Sequence, residues 1–275
     1  MSPMTTVADI RASLDTWFPP ELAETWDRPG LVCGDPADSV GTVACALEAT
    51  DAVVDAAIDA GAQMLVVHHP LLLRGVSSVA ADTPKGRIVH RLIRSGIALM
   101  SAHTNADAAV GGVNDVLAEL LGIRVTGPLE RAAVGDNPLE GIGRVGQLDE
   151  PMTLRDLTAR VAERLPATVW GVRAAGDPQQ TVRTVALCSG AGDSLLEDAA
   201  RSGADVYLTS DLRHHPADEH LRAGGPALID TAHWASESPW CRSVAGRIAA
   251  THDVTTTVLD VRTDPWTIGI RREDI

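Results

Sequence analysis

The sequence predicts an α/β protein made of two related layered units, with mainly parallel strands and a metal site between them. Three observations carry this expectation. Short apolar runs alternate with stretches of helical periodicity along the chain, as strand–helix–strand units do. The order of elements in the first half recurs in the second. Three of the apolar runs end in histidine, which places nitrogen donors at strand carboxyl ends, where parallel sheets bind ligands.

The bulk composition agrees. With 275 residues, 45% of them apolar, the chain buries roughly three-quarters of its unfolded surface. Aromatic residues make up only 3%, so Val, Ala, Leu and Ile must fill the core. That favours close-packed α/β layers over a sandwich built on large rings. The formal charge of −14 argues against a sequence-independent nucleic-acid binder, which needs Lys and Arg facing phosphates. Cys33, Cys45, Cys188 and Cys241 show no Cys-x-x-Cys spacing; four reduced thiols and a cytoplasmic location are expected. No apolar run reaches the ~20 residues of a membrane helix, and no basic-then-apolar leader pattern opens the chain.

Taken in order, Val7 to Trp17 reads as a helix stopped by Pro19-Pro20. Glu21 to Gly34 reads as loop, and Val43 to Ala49 as a strand. Asp51 to Ala60 has helical periodicity and ends at Gly61, a natural C-cap. Met64 to Val67 is a strand leading into His68-His69-Pro70. Lys85 to Ser95 is a helix closed by Gly96, and Ile97 to Ser101 a strand ending beside His103. A helix opens after Gly111-Gly112 and runs through Leu121.

In the second half, Thr184 to Cys188 is a strand, Asp193 to Ser202 a helix and Val206 to Thr209 a strand. Ala217 to Ala223 is a helix, and Ala227 to Ile229 a strand leading to His233. Asp51 aligns with Asp193, Gly61-Ala62 with Gly203-Ala204, Ala102-His103 with Ala232-His233, and Asp107 with Glu237. Any two α/β units share some of this. The paired His-x-x-x-carboxylate elements favour an internal duplication. Asp136 to Pro151, rich in Gly, Asp and Pro, is expected to connect the halves. The expected units are therefore 1–135 and 136–275, with the C-terminal segment packing back on the first.

His68, His69, His103 and His233 thus gather at strand ends, with Asp107 and Glu237 four residues beyond two of them. Such nitrogen and oxygen donors suit a hydrolytic metal site. Neighbours on an extended strand point in opposite directions, so His68 and His69 are expected to splay toward two ions. Two ions about 3.5–4 Å apart sharing a carboxylate are the recurring hydrolytic arrangement. Ser210-Asp211-Leu212-Arg213-His214-His215-Pro216 is the counterpart of the His68-His69 stretch, with its histidines displaced. His214 and His215 read either as proton shuttles at the rim or as the lead-in to a helix. Asp27 either orients a ligand histidine or belongs to a turn anchored by a packed Trp26. Trp234 either lines the site or packs beside it. His90, His220 and His252 carry no assigned role.

Together, Trp26-Asp27-x-Pro29-Gly30-Leu31, His68-His69-Pro70, His103-Thr104-Asn105-x-Asp107, the Ser210-to-His215 segment and His233-x-x-x-Glu237 resemble the Nif-three-like dinuclear-metal proteins, often labelled GTP cyclohydrolase 1 type 2 homologues. The resemblance spans almost the whole chain. It implies metal ligands His68, His69, Asp107, His233 and Glu237, with Glu237 as the bridge and His103 near the metals. It also implies two α/β domains facing each other across the site, and a ring-shaped homohexamer. The insert that larger members carry between the halves is expected to be absent. Arg28 stands where the family usually has Asn, and Ser210-Asp211 where it often has Gly and Glu.

The functional expectation is a hydrolase of a small nucleotide-like or phosphoester substrate, using two divalent ions per chain (zinc, manganese, iron or nickel). His103, His214 and His215 would move protons. The alternative is a metal-handling or regulatory binding protein without turnover. Association with nucleic acid or a membrane is not expected.

Overall fold

A computed structural model describes residues 4–270. Its elements run α1 (Val7–Trp17), β1 (Gly30–Cys33), β2 (Thr42–Ala46), α2 (Asp51–Asp59), β3 (Met64–Val67), α3 (Pro84–Arg94), β4 (Ala98–Ser101), α4 (Thr104–Ala108), α5 (Val113–Leu121) and β5 (Ile123–Gly127). There follow β6 (Glu130–Arg131), β7 (Gly141–Ile142), β8 (Arg144–Thr153), α6 (Leu154–Arg164), β9 (Val172–Ala175), β10 (Thr181–Ala191), α7 (Leu196–Arg201), β11 (Val206–Ser210) and α8 (His214–Arg222). The chain closes with β12 (Ala227–Thr231), α9 (His233–Glu237), α10 (Pro239–Thr251) and β13 (Thr255–Val258). The side chains of Thr6, Thr50, Thr83 and Thr153 each accept an N–H three residues on, which starts α1, α2, α3 and α6.

The chain forms two compact units. One runs up to Ala109 and is joined by Trp240–Thr263; the other is Val110–Pro239, joined by the segment from Asp264.

In the first unit a five-stranded sheet runs β1-β4-β3-β2-β13, parallel except for edge strand β1. Val53, Val54 and Ala57 of α2 and Ile88, Val89 and Leu92 of α3 pack on Leu65, Val67 and Leu99. The core is aliphatic, as the composition requires.

In the second unit the order is β5-β8-β10-β11-β12-β9. The central β10–β11–β12 pairs are parallel, flanked by antiparallel partners. Strand alternation divides the side chains between two faces. Val206 and Leu208 meet α5, α6 and α9 on one face. Tyr207 and Leu228 meet α7 and α8 on the other.

The stretch expected to be a connection is instead largely strand β8, on the second sheet. Its inward positions are Arg144, Gly146 and Leu148, so no apolar alternation marks it. A Cβ at Gly146 would lie 2.6 Å from the Ile123 side chain and 2.7 Å from the Arg124 carbonyl oxygen, so only glycine fits there. Arg144 is buried, and its Nε and Nη2 donate to the Asp115 carboxylate at 2.7 and 3.0 Å. Its Nη1 donates to the carbonyls of Gly141 and Gly143. Removing one partner strands a buried charge, so Asp115→Ala is expected to cost about 3 kcal/mol or more in chemical denaturation.

All four cysteines are free. Among the described residues no helix is long and apolar enough to cross a membrane.

Candidate metal centre

In the first unit the site forms at the carboxyl ends of β3 and β4. His68 and His69 follow β3 directly, but the chain is no longer extended there: both backbone amides donate to the Leu47 carbonyl, at 3.2 and 2.9 Å. The two rings lie 5.0 Å apart by centroid, with His103 at 5.2 and 5.7 Å. One ligand atom from each of these three histidines lies within 4.8 Å of the other two. Asp107, on α4, brings Oδ1 to 3.6 Å from His68 Nε2.

In the second unit β12 delivers His233 to the first position of α9, and one helical turn brings Glu237 onto the same face. His233 Nε2 and Glu237 Oε2 are 3.1 Å apart. Gly190, at φ +63°, leaves the space these atoms occupy: a Cβ there would lie 2.2 Å from Glu237 Oε1 and 3.1 Å from His233 Nε2. Burial disfavours a charged His233 ring, but the Glu237 and Asp211 carboxylates outweigh it and push the pKa up to about 11. The negative field that holds a proton there also favours a divalent cation.

Every one of these histidines has its Nδ1 engaged by an acceptor. His68 Nδ1 lies 2.8 Å from the Ala102 carbonyl oxygen, His69 Nδ1 3.1 Å from Glu48 Oε1, His103 Nδ1 3.0 Å from Asp27 Oδ2, and His233 Nδ1 2.7 Å from Asp211 Oδ2. A carbonyl or an ionised carboxylate can only accept, so Nδ1 carries a proton and Nε2 is the atom turned away from that anchor; in His233 it faces Glu237 and holds a proton until a cation displaces it. Metal-ligating histidines are oriented in this way. Glu48 keeps a second buried oxygen, Oε2, that meets no donor among the described residues. Imidazole nitrogens with carboxylate oxygens suit zinc, manganese, iron or nickel, so the residues present fit divalent ions.

Of the two readings left open for Asp27, the structure favours orientation of a histidine, His103. It is buried, and its Oδ2 accepts from the Thr104 backbone N–H and hydroxyl as well as facing His103. Burial raises its pKa, but these bonds prevail and bring it down to about 2. The alternative of a packed Trp26 fails: that indole is 56% exposed, edge-on to His103 at 6.0 Å.

Sequence reasoning misses three contributors. Glu48 sits at the end of an apolar run with no motif around it. Gly190 lies near the end of β10, in a Ser-Gly-Ala-Gly stretch that carries no motif. Asp211 stands inside a motif, but there it marks only a departure from the family pattern. It is the one non-glycine residue with positive φ (57°) among the described residues, a conformation that Asp tolerates better than most. Asn tolerates it equally, so Asp211→Asn removes the charge without straining the turn. It is expected to weaken metal binding by about 10–100-fold, read by competition with a chelating dye.

His214 and His215 open α8, three residues earlier than that helix was expected. Neither joins a group of metal-ligating side chains among the described residues.

The family model described as Duf34/NIF3 (NGG1p interacting factor 3) matches residues 5–265. A Streptomyces coelicolor protein named GTP cyclohydrolase 1 type 2 homolog is 48% identical over 97% of this chain and 95% of its own length. A Mycobacterium leprae protein of the same name is 38% identical over 97% of this chain and 96% of its own. That alignment runs over 372 positions, more than the 275 residues here, so the relative carries inserted residues that this chain does not. Among solved structures, a Bacillus cereus protein related to NIF3 superposes with a TM-score of 0.84 at 25% identity, covering 97% of this chain and 100% of the other.

Proposed function

From a chain that belongs to the Duf34/NIF3 family, we propose a dinuclear metal-dependent hydrolase acting on a small nucleotide-like or phosphoester substrate. His68, His69, Asp107, His233 and Glu237 would hold the ions, with Glu237 the carboxylate that would be shared. The observation that carries this reading is the uniform anchoring of Nδ1. The three proposed histidine ligands, and His103 beside them, each have Nδ1 against an acceptor, which leaves Nε2 as the atom for a metal or a proton. A purely structural histidine has no need of that consistency.

Bound divalent ions would supply Lewis acidity, polarising the scissile group and easing deprotonation of water. The chain's own residues do the rest. Asp27, held deprotonated by Thr104 and His103, keeps the His103 ring turned so that Nε2 can take or give a proton. Glu48 and Asp211 hold His69 and His233 in register. His214 and His215 remain candidates to pass protons at the rim. The nucleotide-like substrate follows from the name carried by the relatives and from the chemistry of two ions. The reading also includes a cytoplasmic location, consistent with four free thiols, and a homohexameric ring, to be measured by light scattering.

The test is reversible loss of turnover. Nucleotides, GTP among them, and aryl phosphoesters are screened with metal-loaded protein, after chelation, and after readdition of zinc, manganese, iron or nickel. Turnover that disappears on chelation and returns with one of these ions is expected. Bound metal with no turnover on any substrate of either class would replace the hydrolase with a metal-handling protein. Turnover that survives complete chelation would remove the metal-dependent reading.

A further inference from the structure

On the α7–α8 face of the second unit's sheet lies a cavity of about 370 Å³, within the size range of small-ligand sites. Edge strand β9 supplies Arg173, Ala174 and Ala175 to its wall, and the start of α8 supplies His214 and Ala217. Its floor is apolar, with Leu212, Leu221 and Leu228. Three of the lining residues are alanines, too small to fill the space.

The charged groups around it are not balanced in what they have left to offer. Asp230 is buried, and its carboxylate already accepts from Arg173 Nε (2.7 Å), Trp170 Nε1 (3.3 Å) and the Leu212 amide (3.2 Å). Asp218 is paired with Arg222 at 3.0 Å. The two acids therefore have donors of their own. Arg173 is held by that Nε bond and by its guanidinium lying 4.5 Å over the Trp170 ring. Arg213 gives Nε to Asp193 at 2.6 Å. For both arginines the Nη atoms meet no acceptor among the described residues, and neither does the His214 ring. A guanidinium fixed at Nε presents its Nη pair as a planar fork, which matches carboxylate and phosphate oxygens.

The geometry points to a binding site for a small organic oxyanion, a carboxylate or phosphate monoester with an apolar body. The oxyanion lies between Arg173 and Arg213, and the body lies over the leucine and alanine floor. This gives His214 a place as a wall of that cavity. No proposed metal ligand lines the cavity, so the inference does not rest on the metal reading.

Isothermal titration of the full-length, metal-loaded protein tests it with phenyl phosphate and phenylacetate. Inorganic phosphate and benzyl alcohol serve as controls that each carry one half of the chemistry. Binding that is lost in Arg213→Met identifies this cavity, because Arg213 is a surface side chain whose removal leaves the fold intact. Loss of charge-assisted bonds is expected to weaken the organic anions by about tenfold or more in Arg213→Met and in Arg173→Met. Ala217→Trp, which fills the space, should abolish their binding. The half-probes should show no component sensitive to Arg213. Preference for phenyl phosphate or for phenylacetate names the anion. The proposal is overturned if neither organic anion binds the wild type, or if both bind Arg213→Met and Ala217→Trp as tightly as the wild type. It is also overturned if inorganic phosphate shows the same Arg213-dependent affinity as phenyl phosphate. Arg173→Met loses a buried partner, so its melting temperature is measured alongside, and Arg213→Met is the deciding variant.

Discussion

Gly190→Ala is expected to strip metal from the protein without removing a single ligand. The added methyl would lie 2.2 Å from Glu237 Oε1 and 3.1 Å from His233 Nε2, and neither neighbour can yield freely. Glu237 is 3% exposed, and His233 is tied at Nδ1 to Asp211. The carboxylate must swing away or the end of β10 must shift. The left-handed φ of +63° adds a backbone cost of about 1–2 kcal/mol for any residue with a Cβ. Metal affinity should fall by at least the roughly 10–100-fold that loss of a supporting partner brings. Dialysis against a graded series of free zinc or manganese measures it, and a melting curve taken with chelator present separates the backbone cost from the lost metal. Full loading at the lowest wild-type saturating concentration would contradict the placement of Glu237 and His233 as ligands.

Glu237→Gln should have the larger effect on chemistry. The two side chains have the same shape, so the core around α9 is kept and the melting temperature in chelator should stay near wild type. What is lost is the negative charge and one anionic donor. Turnover of any substrate found by screening should fall by more than the 10–100-fold typical of a supporting residue. Unchanged turnover in this variant would remove the bridging role.

Much of this was legible in the sequence because three parallel strands, β3, β4 and β12, are largely apolar and lead directly to histidines. Met64–Val67 and the helix Val7–Trp17 match their expected bounds. The short helices α4 and α9, each following a His-bearing strand end, occupy equivalent places in the two halves. Even so, the duplicated pairs are used differently. His233 Nε2 stands against Glu237, whereas in the first unit it is His68 that faces Asp107 and His103 turns to Asp27.

Three kinds of information were not legible. Strand β8 hides its inward face behind an arginine and a glycine. The approach of the His68 and His69 rings depends on two successive amides sharing the Leu47 carbonyl, which no spacing rule conveys. The partners that orient the histidines are distant in sequence: Glu48 with His69, Asp27 with His103, Asp211 with His233. Asp211, at a position where the resemblance implied Glu, supplies the carboxylate on His233 Nδ1.

The most direct test of the central claim is metal content per chain, by elemental analysis of untagged protein purified without chelator, beside Glu237→Gln. About two divalent ions per chain in the wild type, lost from the variant, is the predicted result. Near-zero content in both, even after incubation with zinc, manganese and iron, would contradict it and make the anchored histidines a structural cluster.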